Sequence, residues 1–310
     1  MRAAVLRQKI KVWMLPVAML IGIIFHDSIG KLEFLAPWLI FAMLLVTFCR
    51  VEPRRLRFSG LSWKLIAVQF VGSLAVFFAL LPLNRDIAAG AFIVVFCPTA
   101  TAAPVVTHML GGDIDKVVAY SILSNMVVAF TAPLIFTLMG TAEVHFLDAV
   151  RSTALKVMPL IIAPLVVALI MMKITPKTHE TLAHHAGISF YIWALSLIIV
   201  VGNSTSRVLA EPTSLIPVMI ALAGVSLILC LGQFGIGRLI GRREGDPVSG
   251  AQSLGQKNTV LAIWMALTWL NPVVSVAPAA YVAWQNTVNS LQIFIKQKST
   301  KNNNAHGQYV

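Results

Sequence analysis

The chain has 310 residues, 58% of them apolar and only 12% charged, with 24 Lys and Arg against 12 Asp and Glu. A soluble globule carries about twice that charged fraction, a disordered chain is poor in apolar residues, and three cysteines (Cys49, Cys97, Cys230) leave an odd thiol with no disulfide framework. An all-α, polytopic membrane protein remains, and about ten crossings of about 20 residues would leave no room for a soluble domain.

In chain order, apolar runs predict spans at residues 12–27, 34–49, 65–83, 87–110 and 117–139, then at 154–172, 183–201, 215–240, 248–270 and 273–295. The first run follows Arg2, Arg7, Lys9 and Lys11 and has the outline of a signal peptide. No small-residue cleavage site follows Ile24 and Phe25, so it reads as a short helix. The polar stretch from Ser299 to Val310 reads as a solvated, disordered end.

Charge sidedness tests the count. With ten spans and the N-terminus inside, eighteen Lys and Arg fall in cytoplasmic segments, among them Arg54, Arg55, Lys64, Lys116, Arg242 and Arg243. Five (Lys31, Arg85, Arg151, Lys156, Arg207) fall outside, and Lys257 falls within the ninth span. The bias predicts a protein of the bacterial inner (plasma) membrane with both termini cytoplasmic. The net charge of +12 is then topological, since cations divided among short loops make no nucleic-acid-binding face.

Ten spans divide into two sets of five, and an odd number per set makes the second enter the bilayer from the opposite side. In such inverted repeats a special feature of the fourth span recurs in the ninth. The fourth is interrupted by Phe96-Cys97-Pro98-Thr99-Ala100-Thr101-Ala102-Ala103-Pro104, where each proline lacks an amide donor and frees a carbonyl one turn earlier. The ninth is interrupted by Gly250 and then Ser253-Leu254-Gly255-Gln256-Lys257-Asn258-Thr259. Taken alone, Pro98 and Pro104 fit a simple kink; recurrence at the matching place favours a site. Broken helices strand backbone groups at several kcal/mol apiece unless protein or water satisfies them, so the break should line a cavity. Half-helix amide ends would hold anions there, and carbonyl ends cations.

The run from Cys97 to Thr107, followed by Gly112-Asp113, together with Gln256-Lys257-Asn258-Thr259 and Leu261-Ala262, resembles the bile acid:sodium symporter family. The resemblance, which extends to the ten-span count, implies a panel of spans one, two, six and seven (12–49 and 154–203) and a core of the others (65–139 and 215–295). Spans four and nine would cross inside the core with substrate beside the crossing, and the core would move against the panel to alternate access. Family members that use sodium place a Ser-Asn pair after the fourth-span break, where this chain has Ala103 and Pro104. They place a Glu before the ninth-span Gln-Asn-Thr, where this chain has Ser253, and Lys257 stands at the Gln itself. A sodium ion wants several oxygens, and an ammonium among them repels it. At least one family sodium site is therefore expected to be absent.

An amine in mid-span costs about 2.5–3.5 kcal/mol on insertion scales and lies too deep to reach the interface. Lys257 is read either as a tethered substitute for sodium or as a group that gains and loses a proton in each cycle. The bland alternative is a permanent charge on the frayed carbonyl ends of span four. Around the same cavity, helical spacing groups Ser121, Ser124 and Asn125 in span five and Gln285, Asn289 and Gln292 in span ten. Gln69 resembles a Gln that family members offer to an ion. Thr99, Thr101, Pro104, Asn258, Thr259, Gln285 and Asn289 form the candidate substrate set. Lys257, Gln256, Ser253, Ser121, Ser124, Asn125 and Gln69 form the candidate ion-coupling set. Each of the polar groups outside the breaks is equally suited to an ordinary interhelical hydrogen bond, worth about 0.6 kcal/mol. Asn203 to Ser206 are expected to close span seven, and His145, His179, His184 and His185 to sit in loops.

A secondary transporter accounts for paired breaks, one buried cation and no soluble domain. An enzyme would need a nucleophile with its base or a metal set, and neither is legible; no cofactor or metal is expected. A channel or receptor would not predict pseudo-symmetric interruptions. With no Gly-x-x-x-x-Gly-Lys-Ser, the energy source must be an ion gradient or the substrate's own. The expected substrate is a small organic anion, with protons or sodium as coupling partner.

Overall fold

The computed structural model describes residue 14 and residues 17–49, 58–100, 102–139, 146–184 and 188–306. Helix α1 (17–24) leads through α2 (His26–Ile29) and a 3-10 segment (Gly30–Leu35) into α3 (Ala36–Phe48). There follow α4 (Gly60–Leu80), α5 (Arg85–Phe96), α6 (Ala103–Leu110), α7 (Ile114–Met139), α8 (Phe146–Ile174), α9 (Pro176–His184) and α10 (Ile188–Leu209). The series ends with α11 (Ile216–Arg243), α12 (Pro247–Gly255), α13 (Thr259–Trp269) and α14 (Val276–His306). The one β feature among the described residues is an isolated antiparallel bridge between Thr99 and Lys257.

Five helical stretches among the described residues are long and apolar enough to cross a membrane: His26–Phe48, Gly60–Leu80, Ile114–Thr137, Tyr191–Leu209 and Thr213–Arg243. Two others fall short because they are broken. The run expected at 87–110 is divided between α5 and α6, and that at 248–270 between α12 and α13. Local chemistry explains where the pieces start and stop. Asn84 caps α5 by accepting from the amides of Asp86 and Ile87 at 2.9 and 3.0 Å. Cys97 ends it in an extended conformation, φ −54° and ψ 142°, because the residue before a proline is pushed out of the helical region. Pro104 sits in the first turn of α6, where a missing amide does no harm. Gly111 closes α6 at φ 79°, a left-handed position that suits glycine.

Three expectations need correction. His179 and His184 lie on α9 and not in a loop, because Pro176 opens a short polar helix; His145 and His185 lie outside the described residues. Asn203 to Ser206 fall inside α10, which runs to Leu209. Their polar groups are satisfied there, Asn203 accepting from Arg207 at 3.0 Å and Ser204 pairing with Ser275 at 2.6 Å. Helix α14 continues to His306, beyond Ser299 where a disordered end was expected, and 307–310 lie outside the described residues.

Helices α8 and α10 each pack on α3, α8 also runs along α7, and α4, α5, α7, α11, α12 and α14 pack around the two breaks. Helix α13 touches both groups, lying against α3 and α10 as well as α5 and α14. It is buried on nearly every side from Thr259 to Ala266, as expected of a helix that is apolar all round. Glycine brings α12 against α11: a Cβ on Gly250 would lie 2.2 Å from the Gly237 carbonyl oxygen. At the Lys116 end of the bundle, Asp246 caps α12 by accepting from the Ser249 amide at 2.9 Å. Its other oxygen faces the Asp113 amide at 3.3 Å and the Lys116 ammonium at 3.4 Å. Burial works against the Asp246 carboxylate, but hydrogen bonds from Ser249 and the Lys116 charge outweigh it and hold its pKa below the ordinary value.

Gly250→Ala should force α11 and α12 apart and lower the unfolding temperature of purified protein by several degrees, about 1–3 kcal/mol of overpacking. Asp246→Ala should cost about 1 kcal/mol at neutral pH through the lost cap. Because the folded pKa is depressed, that contribution is present above the unfolded value and lost as pH falls through the folded one. The difference in unfolding temperature between wild type and Asp246→Ala should therefore close below about pH 4.

Candidate functional site

The breaks meet. Around the Thr99–Lys257 bridge, the Ala100 amide donates to Gln256 O at 3.1 Å and the Asn258 amide donates to Pro98 O at 2.8 Å. The two non-helical segments thus pair as a very short antiparallel ladder. What this ladder leaves over are the last carbonyls of α5 and α12, which lost their helical partners when the helices stopped.

At the α5 end, Lys257 Nζ donates to Val95 O at 2.9 Å and to Cys97 O at 3.0 Å. Gln69 Nε2, from α4, donates to Phe96 O at 2.7 Å and Cys97 O at 3.2 Å. Gln69 Oε1 accepts from Tyr120 and Ser124 of α7. Lys257 is 1% exposed and has no ion-pair partner among the described residues; its charge is met by carbonyl dipoles at a helix C-terminus. At the α12 end hydroxyls do the same work. Thr99 donates to Ser253 O at 2.8 Å, and Tyr281, which itself accepts from Gln233 at 3.1 Å, donates to Gly255 O at 2.8 Å.

The polar stripe of α14 points into this region. Gln285 brackets the Lys257 backbone, accepting from its amide at 2.9 Å and donating to its carbonyl at 3.3 Å, and Gln292 accepts from Gln252 at 2.9 Å. The start of α13 is different in kind. Asn258 caps it with Oδ1 on the Leu261 amide at 3.2 Å, but Asn258 Nδ2 and Thr259 Oγ1 are buried with no hydrogen-bond partner among the described residues. The same holds for Asn125 Oδ1 and Asn289 Oδ1.

Of the residues singled out in the sequence, Gln69, Thr99, Ser124, Ser253, Gln256, Lys257, Asn258 and Gln285 are joined by the contacts above. Gln256 also bonds Gln252 through its side chain. Thr259 opens α13, and Pro104 is buried in the first turn of α6. Ser121 and Asn125 bond each other one turn apart on α7, the Asn125 amide donating to Ser121 O at 2.8 Å. Thr101 lies outside the described residues. Sequence reasoning missed Tyr120, Tyr281, Gln233 and the Cys97 thiol, which donates to Asn258 O at 2.9 Å. Tyrosine in an apolar span reads as core, and only its hydroxyl's partner marks it otherwise.

A cavity of about 310 Å³ opens at the far end of α5, lined by Phe77, Arg85, Asp86, Trp269 and Asn271 among others. It is separated from the crossing by the length of α5, roughly 18 Å at 1.5 Å per residue, and none of the candidate residues lines it.

An all-α chain with two interrupted helices paired through buried polar groups is built as membrane carriers are. Residues 36–211 match the Sodium Bile acid symporter family, and with more than half its length matched the chain belongs to that family. It is an integral membrane protein and, by family, a secondary transporter of organic anions and not an enzyme. The match includes the break between α5 and α6 but stops short of α12 and α13, so Lys257 lies outside it. No curated protein matches the chain.

Gln285→Leu removes both bonds to the Lys257 backbone and leaves that amide and carbonyl buried, at about 1–3 kcal/mol apiece. It should lower the unfolding temperature far more than Thr287→Ala, a change at an exposed threonine of the same helix that bonds only within α14.

Proposed function

We propose that the chain carries a small organic anion by alternating access, with the Lys257 ammonium standing where other family members place a sodium ion. The observation that carries this reading is the pair of bonds from Lys257 Nζ to Val95 O and Cys97 O, which sets a tethered amine at the negative pole of a half-helix. Transport is then sodium-independent, or driven by protons if Lys257 releases and regains one in each cycle. The substrate anion binds on the other side of the crossing, at the first turns of α6 and α13. There the free donors of Asn258 and Thr259 add to the positive end of a helix dipole. Pro104 withholds an amide from α6, so α13 contributes more of the binding.

The reading includes ten spans in two inverted sets of five, with residues 12–49 and 154–203 forming a panel and 65–139 and 215–295 a core. The excess of Lys and Arg on one side of that arrangement orients both termini toward the cytoplasm, in a bacterial inner membrane. The panel is supported by the packing of α8 and α10 on α3; α8 runs along α7 at the border with the core, and the buried bond between Ser204 and Ser275 ties α10 to the core. A sodium-coupled symport is the second reading. It draws on the family's name and on Asn125 Oδ1 and Asn289 Oδ1, two buried acceptors with no donor.

A thermal-unfolding screen of small carboxylates and sulfates should find anions that stabilise the purified protein, and Asn258→Ala should abolish the shift. Stabilisation by neutral or cationic compounds, with none by any anion, would overturn the substrate class. Uptake of a stabilising anion into proteoliposomes should persist when choline replaces sodium; a strict sodium requirement would sink the role given to Lys257. With Lys257→Gln, the reading expects either lost turnover or a new sodium requirement. Unchanged uptake with unchanged ion dependence would make the amine purely structural.

A further inference from the structure

Tyr120 is 1% exposed, near the start of α7, and its hydroxyl meets Gln69 Oε1; the Ser124 hydroxyl, one turn on, reaches the same oxygen at 3.0 Å. A glutamine amide has one oxygen that only accepts and one NH2 that only donates. The Phe96 and Cys97 carbonyls can only accept, so Gln69 must turn its NH2 toward them, and the 2.7 and 3.2 Å contacts are made by Nε2. The oxygen is left facing α7, where two hydroxyl hydrogens fill both of its lone pairs. The carbonyls thus fix the orientation of Gln69, and the two hydroxyls reinforce it by donating to its oxygen.

This orientation matters for cations. An alkali ion at the C-terminal end of α5 would need its carbonyl oxygens, together with any side-chain oxygen that can turn toward them, to replace its water. Here Val95 O, Phe96 O and Cys97 O all face N–H donors, and the Gln69 oxygen is held away. Removing the Lys257 amine alone leaves the Gln69 NH2 over Phe96 O and Cys97 O. Rotated half a turn, the amide would aim its NH2 at the two hydroxyls, which would have to accept and turn their own buried hydrogens elsewhere; losing the Tyr120 hydroxyl removes one such cost and eases the presentation of oxygen to the break.

We infer that Tyr120 is a specificity-determining residue against sodium: by donating to Gln69 Oε1 it holds Gln69 as a hydrogen-bond donor to the broken end of α5 and denies a cation its side-chain oxygen. The inference deepens the reading of Lys257 and rests on it. Tyr120 acts through Gln69 and is a positioning residue. Tyr120→Phe keeps the ring and removes only the hydroxyl.

The test compares unfolding temperatures of the purified full chain in sodium chloride and in choline chloride at equal ionic strength, a readout that a merely packing role for Tyr120 would not move. With Tyr120 in place, Lys257→Gln should take the first of its two expected outcomes, lost turnover without a new sodium requirement, so wild type, Tyr120→Phe and Lys257→Gln should each show no sodium-specific shift. The double variant Tyr120→Phe/Lys257→Gln should gain one of about 3 °C when sodium is well above its dissociation constant. An equal shift in Lys257→Gln alone, or none in the double variant, overturns the role of Tyr120 and leaves that of Lys257 standing. A sodium shift already present in wild type overturns both. If the double variant does not fold, Ser124→Ala/Lys257→Gln releases the other hydroxyl and should give a smaller shift of the same sign; its absence overturns the inference.

Discussion

A carbonyl that loses its helical partner inside an apolar bundle must find another donor, and this chain has two helix ends in that condition facing each other. Helices α5 and α12 stop within a few residues of the point where their continuations begin, and the stranded oxygens converge on the bridge between Thr99 and Lys257. Each unsatisfied group would cost about 1–3 kcal/mol, so the crossing exists only because side chains from α4, α14 and the two breaks themselves reach it. The break, the buried polar residues and the close packing of the surrounding helices are one arrangement.

The two ends are satisfied in different ways, and the difference bears on chemistry. Hydroxyls of Thr99 and Tyr281 serve α12, whereas α5 receives an ammonium and an amide. An amine in mid-bilayer costs about 2.5–3.5 kcal/mol on insertion scales, which is comparable to what two orphaned carbonyls would cost; the bonds to Val95 O and Cys97 O offset it without any carboxylate. An amine is thereby built into the crossing at the end of α5. The α13 start carries further donors, Asn258 Nδ2 and Thr259 Oγ1, that the protein leaves free. Both features favour anions, in keeping with the family to which the chain belongs.

Helix α13 carries this crossing to the rest of the molecule. Being buried on nearly every side, it packs on α3 and α10 as well as on its own neighbours, so a displacement at Asn258 is felt by the second group of helices. At its other end Trp269 stacks on Phe136 at 5.5 Å and Trp264 meets Trp269 edge-on at 5.0 Å. Trp269 is half-buried through these contacts, while Trp38 and Trp63 are exposed. Close glycine contacts between α11 and α12 and the Asp246 cap hold the opposite half-helix.

Hydropathy and proline chemistry alone determine much of this protein. Long apolar runs have no stable form in lipid except helices, Pro98 and Pro104 compel a break, and a polar run carrying one lysine in a later apolar segment marks a second. Those properties are local, and a linear chain displays them. Partnerships are not local. That Lys257 reaches back to Val95 and Cys97, that Gln69 shows its NH2 and not its oxygen, and that Gln285 grips the Lys257 backbone depend on residues 27 to 162 positions apart becoming neighbours. The same gap explains the displaced end of α10: an Asn-Ser-Thr-Ser run looks like a terminus until Arg207 and Ser275 are found beside it. Tertiary structure decided which polar groups are spent on one another and which, like Asn258 Nδ2 and Thr259 Oγ1, are left for something else, because hydrogen-bond satisfaction is a property of neighbours in space.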